Sequence, residues 1–378
     1  MRSDGAVHAA DSSMHQGLAE RLVRLHREVK GTGELTAVTR IAVALYDERT
    51  DILKTFIHSS DGGSPLDHSS ARLDRIPGLH QLALNGMPRV INDLDAVALS
   101  GQEHATRLAA VGYRSSYTVP IRTKGQFYGF LFINASEKDF FTPQVTQRLH
   151  PYAELIGQMV MRELDAVHMM RAAVRVIRRV STVRDEETGA HLARMARYAR
   201  LVAQKLAGKF DLSDEFVEYL FQFAPLHDVG KISVPDHILF KPGKLTFEEF
   251  NVMKTHVVHG IDITDMLIFD FGSQSLPHFD LLRNVVAYHH EALDGSGYPH
   301  GLAGDRIPLE ARIATVADVF DALTSVRPYK QAWTNEAAFD LLRREAGIKF
   351  DPECVAALLD STAEIEAIQV RFEETVLD

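Results

Sequence analysis

Four short segments within the first 140 residues are rich in apolar, β-branched and aromatic residues and are separated by polar turns, a pattern typical of β-strands. The strands are expected to pair as two hairpins: 39–46 with 52–57 across a polar turn at 47–51, and 116–121 with 128–133 across a turn at Lys124-Gly125. Since hairpins join antiparallel neighbours, the pattern predicts a mainly antiparallel sheet.

Helices are predicted on either side of these strands. The first covers about residues 16 to 30, after a polar tail at 1–15 that we expect to be disordered. Further helical stretches precede residue 113 and follow Pro143. We therefore expect residues 16–160 to form an α+β domain.

A long amphipathic helix is predicted at 149–180, connecting the two halves of the chain. Its apolar positions recur at three- and four-residue steps: Tyr152, Ile156, Val160, Leu164, Val167, Met170, Val174 and Ile177. One interpretation is a helix that packs on its own domain. The interpretation we favour is a parallel helix pair that makes the chain a homodimer.

From residue 181 to 378 the pattern predicts helices almost throughout, with Pro- and Gly-rich connections near 235–243 and 294–308. This half is expected to be an all-α domain. The fold class expected is thus two domains joined by a long helix.

Composition narrows the classes of function. With 378 residues, 46% hydrophobic and 24% charged, the chain is long and apolar enough for two packed domains. A net charge of −10 argues against binding a nucleic acid polymer. One cysteine, Cys354, excludes an internal disulfide framework, and the sequence shows neither a membrane span nor a secretory signal. We expect a cytoplasmic protein.

Histidines and carboxylates of the C-terminal half suggest metal binding. Glu187 and His191 are four residues apart, so on a helix both side chains lie on one face and can share a metal. Taken alone, such a pair more often lies on a solvated face.

His227 and Asp228 interrupt an apolar stretch, where two polar side chains are costly to bury without partners. Metal ligation would satisfy them, and a carboxylate can bridge two cations through its two oxygens. The alternative is a buried ion pair. Lys231 follows Asp228 by one helical turn, where its ammonium group can meet a substrate phosphate.

Three more histidines and one aspartate extend this set. His289 and His290 follow an apolar run, so at least one imidazole faces inward, and Asp318 lies inside an apolar helix. His256 alone would be unremarkable. Together the five histidines and three carboxylates supply ligands for two or three divalent ions. Without thiolates, the set favours iron or manganese over structural zinc.

The N-terminal half resembles a GAF domain. The resemblance rests on the strand pair at 39–57, on Gly112-Tyr113-Arg114-Ser115 before Val119-Pro120-Ile121, and on Gly129-Phe130-Leu131-Phe132-Ile133 before Phe140-Phe141-Thr142. It implies a sensory or dimerisation domain.

Residues 180 to 360 resemble an HD-GYP domain of the HD hydrolase superfamily. The motifs, in chain order, are Glu187-Thr188 with His191, Leu226-His227-Asp228-Val229-Gly230-Lys231, Pro235-Asp236, Lys241-Pro242-Gly243, Met253 with His256, His289-His290-Glu291, Asp294-Gly295-Ser296-Gly297-Tyr298-Pro299, Gly301-Leu302, Ile307-Pro308, Val316-Ala317-Asp318, Phe320-Asp321-Ala322-Leu323-Thr324 and Arg327-Pro328-Tyr329-Lys330. As an ordered set they are highly specific.

This resemblance implies a cyclic di-GMP phosphodiesterase with a bi- or trinuclear metal centre, most often of iron, with manganese as the alternative. The implied metal ligands are His191, His227, Asp228, His256, His289, His290 and Asp318, with Glu187 completing a third metal position. Asp228 and Lys231 are the expected catalytic residues, and Lys231, Tyr298, Arg327 and Lys330 the expected substrate-binding ones. The expected product is linear pGpG, with further hydrolysis to GMP left open.

Two alternatives are a non-catalytic cyclic-dinucleotide sensor and a hydrolase of a related dinucleotide such as cyclic GMP-AMP. The complete ligand set ranks the sensor behind the enzyme. The turn from Gly295 to Pro299 is also a candidate docking site for a signalling protein.

Overall fold

A computed structural model describes residues 17–62, 69–99, 103–180, 189–270, 278–325 and 331–373 of the chain. The protein forms two compact units that meet in sequence between Asp165 and Ala166. The tail predicted at 1–15 lies outside the described residues.

A six-stranded antiparallel sheet forms the centre of the first unit, in the order β3-β2-β1-β6-β5-β4. Its strands are β1 (Val38–Asp47), β2 (Ile52–Ser60), β3 (Ser70–Arg72), β4 (Arg89–Ile91), β5 (Ser115–Thr123) and β6 (Gln126–Ala135). The four long strands confirm the two predicted hairpins. The edge strands β3 and β4 were not predicted, because three residues are too few to form a recognisable strand pattern.

Helices cover this sheet: α1 (Leu18–Lys30), α2 (Pro77–Asn85), α3 (Leu94–Leu99) and α4 (Glu103–Ala110). An apolar cluster joins the sheet to α2, with Phe130 and Phe132 of β6 packed near Leu79 and Leu82. All four side chains are buried, as expected where a helix shields one face of a sheet. The predicted α+β architecture is confirmed.

The long helix α5 spans Pro143–Val180 and continues through Pro151 and Gly157. The apolar positions Ile156, Val160 and Leu164, predicted to face a partner helix, are buried within a single chain. This burial matches the other interpretation, in which the helix packs on its own chain.

The described part of the second unit is built mainly from helices, as predicted. They are α6 (Gly189–Phe210), α7 (Asp214–Phe223), α8 (Asp236–Leu239), α9 (Phe247–Asp270), α10 (Phe279–Tyr288), α11 (Leu309–Thr324), α12 (Asn335–Glu345), α13 (Pro352–Leu359) and α14 (Thr362–Arg371). Among the described helices, none is both long and apolar enough to cross a membrane.

Helix α6 contacts α7, α11 and α13, and the core of the second unit lies where these helices cross. The Tyr198 ring of α6 meets Phe320 of α11 edge-on, with centroids 5.2 Å apart, and both side chains are fully buried. This packing holds α6 and α11 side by side. It thereby brings His191 and Asp318 together across more than a hundred residues of sequence.

Candidate metal centre

Seven of the predicted ligands converge in two groups of potential metal ligands within the second unit. One group contains Asp228, His256, His289 and His290, and the other contains His191, His227 and Asp318. Within each group all the donor atoms lie within 4.8 Å of one another. The ligands come from α6, α9, α11, the end of α10 and the segment after α7.

His227 and Asp228 lie between two short 3₁₀ segments, Ala224–Leu226 and Val229–Ser233, rather than in the α-helix that the sequence suggested. Pro225 explains the difference, because a proline has no N–H to continue the hydrogen bonding of α7. The tighter turn places the two neighbouring side chains in the buried centre, where both are almost fully inaccessible.

Gly230 allows the segment that carries Asp228 to lie directly against α9. A methyl group at this position would overlap the carbonyl oxygen of His256 and the backbone of Gly260. Close backbone contact of this kind requires glycine. The position of Asp228 relative to His256 therefore depends on the absence of a side chain at residue 230.

Backbone carbonyls of residues three or four positions earlier orient three of the histidines. His227 Nδ1 donates to the carbonyl of Ala224 (2.9 Å), His256 Nδ1 to that of Met253 (2.7 Å) and His289 Nδ1 to that of Val285 (3.0 Å). A carbonyl only accepts, so Nδ1 carries the proton in each ring. The lone pair of the neutral ring is then on Nε2, which is the arrangement typical of metal-bound histidine.

A carboxylate orients the fourth histidine. His191 Nδ1 donates to Asp321 Oδ2 at 2.7 Å, and Asp321 also binds the Arg194 guanidinium through both oxygens, at 2.7 and 2.9 Å. Burial would raise the pKa of Asp321, but hydrogen bonds from His191 and Arg194 outweigh it and lower that pKa below its usual value. Asp321 is therefore an ionised acceptor, and it holds Nε2 of His191 toward Asp318, 3.7 Å away.

Buried atoms without hydrogen bonds test whether this site fits a metal. Nε2 of His256 and of His289 and Oδ1 of Asp228 are buried, and none makes a hydrogen bond of normal geometry within the described residues. The two nitrogens lie 3.0 and 3.4 Å from that oxygen. Because buried polar atoms are costly without partners, and these are N and O donors, the group fits a divalent cation.

Asp228 is held ionised at the centre of the site. Burial would raise the pKa of its carboxyl, but Lys231 and then His227 overcome this effect and keep the pKa well below its usual value. Lys231 Nζ lies 2.6 Å from Oδ2. The lysine predicted to bind substrate phosphate thus contacts a predicted metal ligand.

Tyr298 lies beside the first group. Its ring stacks on His290, with centroids 4.6 Å apart and planes inclined by 28°. Burial, followed by the charge of Asp228, raises the pKa of the phenol, so its hydroxyl stays protonated and can donate a hydrogen bond. Burial also lowers the pKa of His290 well below its usual value, with the neighbouring His289 as the next cause. The imidazole is therefore neutral at pH 7, as a ligand must be.

Glu291 fixes the loop that carries Tyr298. It is buried, and its two carboxylate oxygens accept from the backbone N–H groups of His300 (2.8 Å) and Leu302 (2.9 Å). Gly297 lies so close to Glu291 that a methyl group there would overlap its backbone. The loop is therefore anchored to the residue that follows the tandem histidines.

Three predicted site residues, Glu187, Arg327 and Lys330, lie outside the described residues. Asp321 and Glu291 belong to the sequence motifs, but no role was predicted for either, and Arg194 was not predicted as a site residue. A signal was available, since Asp321 follows Asp318 by three residues and Arg194 follows His191 by three. On a helix this spacing places both members of each pair on one face.

Two family models match the chain. The family described as the GAF domain matches residues 20–160, and the family described as the HD domain matches residues 184–354. The first range covers the sheet and the second covers every described ligand of the two groups.

Curated relatives are similar over part of the chain. The cyclic di-GMP phosphodiesterase response regulator RpfG of Xanthomonas campestris pv. campestris is 50% identical over 50% of this chain and 47% of its own. The 3′3′-cGAMP-specific phosphodiesterase 2 of Vibrio cholerae is 40% identical over 49% and 34%, respectively. A cyclic di-GMP phosphodiesterase of Thermotoga maritima is 38% identical over 68% and 60%. The chain spans less than two thirds of the length of each of the three.

Proposed function

Because the chain joins a GAF domain to an HD domain, we propose that it is a metal-dependent phosphodiesterase that opens cyclic di-GMP to linear pGpG. Whether the same site also hydrolyses linear pGpG to GMP is left open in this proposal. The similarity to named cyclic-dinucleotide phosphodiesterases supports the substrate class.

The observation that carries this proposal is the placement of Asp228 between the two ligand groups. Its Oδ1 faces His256 and His289, at 3.0 and 3.4 Å, while its Oδ2 lies 3.2 Å from His227 Nε2. One carboxylate therefore offers an oxygen to each group, as a bridge between two cations requires.

Residues of both groups would hold the metals, with Asp228 shared between them. Bound divalent ions would supply Lewis acidity at the phosphoryl oxygens and make water a stronger acid. Iron is the metal we favour, with manganese as the alternative, and Glu187 would complete a third position. Neutral imidazoles and an ionised Asp228 are the protonation states in which this chain's side chains can bind cations.

The substrate side of the proposal rests on Lys231 and Tyr298. Lys231 Nζ already carries a positive charge next to Asp228, so a phosphate that approaches the bridge meets an ammonium group. The protonated hydroxyl of Tyr298 can donate to the substrate. Arg327 and Lys330 are proposed as further phosphate contacts.

Hydrolysis of cyclic GMP-AMP is the second candidate activity, since one similar relative is named for that substrate. A non-catalytic sensor is ranked behind both, because the described ligands of the two groups converge as a catalytic centre requires.

The test is metal analysis of anaerobically purified full-length protein, paired with hydrolysis of cyclic di-GMP and of 3′3′-cGAMP. We expect at least two metal ions per chain and turnover that a chelator stops. Asp228→Ala is expected to abolish turnover and reduce metal content, because both ligand groups lose their shared oxygen donor. Retained hydrolysis in that variant, or in chelated protein, would contradict the proposal.

Asp262→Ala is the matched control. Asp262 is an exposed aspartate on α9, the helix that carries His256, so this variant removes the same charge without touching the site. We expect wild-type metal content and turnover from it.

Regulation by the GAF domain and homodimerisation complete the proposal. Ile156, Val160 and Leu164 are buried within one chain, so a helix pair would use exposed apolar residues of the same helix. Leu155 and Met169 are 46% and 55% exposed and lie two heptads apart. Analytical ultracentrifugation of a Leu155→Glu, Met169→Glu variant should show dissociation of a dimer. A dimer that persists would exclude this seam.

The loop from Gly295 to Pro299 is retained as the proposed docking site for a signalling protein. Ser296, near its tip, is exposed, and the anchoring of the loop by Glu291 gives it a defined shape. A binding partner that protects Ser296 from hydroxyl-radical footprinting would support this assignment, and unchanged labelling would count against it.

A further inference from the structure

The accessible side of the first ligand group is the side of His290. Within this group Asp228, His256 and His289 are buried, whereas His290 is only partly buried. The ring of Tyr298 stacks on His290, so Tyr298 lies at this accessible side. The parts of a substrate that extend beyond the metal-binding atoms on this side therefore meet the residues next to Tyr298.

Phe250, in the first turn of α9, is one of these residues. Its ring meets the ring of Tyr298 edge-on, with centroids 6.1 Å apart and planes inclined by 83°. The Phe250 side chain is nevertheless 44% exposed. Contact with Tyr298 thus leaves part of an aromatic surface open beside the site.

Lys254 places a positive charge next to the same ring. It follows Phe250 by one turn of α9, and its Nζ lies 5.3 Å from the centre of the phenyl ring. Among the described residues, no carboxylate lies within ion-pair distance of this ammonium group. Lys241, by contrast, is bound to Glu249.

The chemistry of these two side chains matches the uncut half of the proposed substrate. A cyclic dinucleotide carries two bases and two phosphodiester groups, and opening the ring cuts one phosphodiester. Bases stack on aromatic side chains through their π-faces, and ammonium groups bind phosphate oxygens. Phe250 and Lys254 offer an aromatic ring and an ammonium group side by side.

The position of both residues along α9 fits this assignment. They precede His256, whose Nε2 lies 3.0 Å from Asp228 Oδ1 in the first ligand group. Six residues separate Phe250 from His256, a rise of about 9 Å along the helix axis. A substrate with one phosphate at the metal-binding atoms can therefore extend its other half along the helix toward Phe250.

We propose that Phe250 and Lys254 form the subsite for the half of the cyclic dinucleotide that is not cut. One purine base stacks on the Phe250 ring, and Lys254 binds the second phosphate. This inference rests on the proposed function, because it assigns part of the substrate of the same site. The subsite sets affinity and base preference, since a purine covers more of a phenyl ring than a pyrimidine does.

Steady-state kinetics of full-length, metal-loaded variants with cyclic di-GMP test both contacts. Phe250→Ala should raise KM about tenfold at constant kcat, the size expected when one base loses its stacking partner. Lys254→Gln should raise KM by a similar factor, because one charged hydrogen bond is lost. An unchanged KM in either variant would overturn the contact assigned to that residue.

Two further variants separate stacking from support of the loop that carries Tyr298. Phe250→Leu keeps an apolar side chain against Tyr298 but removes the ring, so its KM should stay close to that of Phe250→Ala. Phe250→Tyr keeps the ring and should restore the wild-type KM. Restoration by leucine as well as tyrosine would reduce Phe250 to packing and refute stacking, as would failure of tyrosine to restore the KM.

Fluorescence gives a readout that does not depend on activity. Trp333 is the single tryptophan of the chain, so in a Trp333→Phe, Phe250→Trp variant all indole emission arises at position 250. Stopped-flow mixing with cyclic di-GMP should quench this emission before turnover. Cyclic di-UMP at the same concentration should quench it less, because its bases are smaller. Absence of quenching, or equal quenching by the two dinucleotides, would refute purine stacking.

Phe269→Ala and Lys244→Gln are the matched controls. Phe269 is 68% exposed near the other end of α9, and Lys244 is exposed in the segment before this helix. Each control should change KM less than about twofold. Effects as large as those of Phe250→Ala and Lys254→Gln would mean that general surface character, not a subsite, determines KM.

The outcomes separate this subsite from the proposed function. Hydrolysis of cyclic di-GMP by the wild type, with unchanged KM in both variants, refutes the subsite and leaves the phosphodiesterase assignment standing. Quenching at position 250 without hydrolysis by the wild type supports the subsite and refutes the phosphodiesterase. Absence of both hydrolysis and quenching refutes both.

Discussion

The carboxylate of Asp321 lies 2.7 Å from Nδ1 of His191, although 130 residues separate them in sequence. Asp321 is fully buried, and Arg194 binds its other oxygen, so the carboxylate has no freedom to turn away. His191 consequently presents Nε2 to the side of Asp318. A carboxylate behind a metal-binding imidazole both fixes the ring and increases its basicity.

Asp321→Asn should weaken metal binding at the His191 position and lower turnover by about 10- to 100-fold, the range typical of such partners. The amide keeps the shape of the carboxylate but removes its charge. Metal content and the metal concentration needed for half-maximal activity would both be measured. Excess metal should partly restore turnover, which a purely structural defect would not allow.

The control for this prediction is Asp340→Asn. Asp340 is exposed on α12 and pairs only at the surface with Arg343. It should leave metal affinity unchanged. If the two variants behaved alike, the role assigned to Asp321 would be wrong.

Gly230→Ala should destabilise the second unit by about 1 to 3 kcal/mol, because the added methyl group has no room against α9. The displaced segment carries Asp228, so metal content should also fall. Urea unfolding and metal analysis would measure the two effects. Gly208→Ala is the matched control, since a methyl group there meets open space on α6 and should be neutral or stabilising by up to about 1 kcal/mol. Comparable losses in both variants would contradict the packing argument.

The sequence was sufficient to predict the two hairpins, and it pointed to the seven side chains that lie in the two groups of potential metal ligands. The apolar runs of β1 and β2 are a local property of the sequence, and His227, Asp228 and the tandem histidines lie in apolar surroundings where polar side chains need partners. Neither prediction requires information about how distant helices pack.

Roles that depend on distant packing could not be predicted. Asp321 acquires its function only when α11 lies beside α6. In the sequence Gly230 is indistinguishable from an ordinary turn glycine, and its role in close packing is visible only from its contact with α9. In each case the missing information was the identity of the neighbouring element.

Glu291→Gln should raise KM with a smaller effect on kcat. The side-chain amide offers one accepting oxygen where the carboxylate offers two, so either His300 or Leu302 loses its hydrogen bond. The loosened loop then holds Tyr298 less well beside the substrate. Glu248→Gln, an exposed change on α9, should leave both constants unchanged. A fall in kcat at constant KM would instead place Glu291 with the reacting groups.

The stability of the first unit should decrease as the pH falls, and His104 should cause part of that decrease. Its pKa is 6.5 in a model peptide but about 4 in the folded chain. Between these two values the unfolded chain binds a proton that the folded chain does not, so unfolding becomes easier as the pH drops, by about 3 kcal/mol in total. Above pH 6.5 neither state is protonated and this contribution disappears.

Urea unfolding of wild-type protein and His104→Gln, followed by circular dichroism from pH 7 to pH 4.5, measures this contribution. Glutamine does not titrate, so the stability of the variant should fall less steeply over this range than that of the wild type. His80→Gln replaces an exposed histidine of α2 and should keep the wild-type slope. Parallel profiles for wild type and His104→Gln would mean that burial and the neighbouring arginines do not suppress protonation of His104.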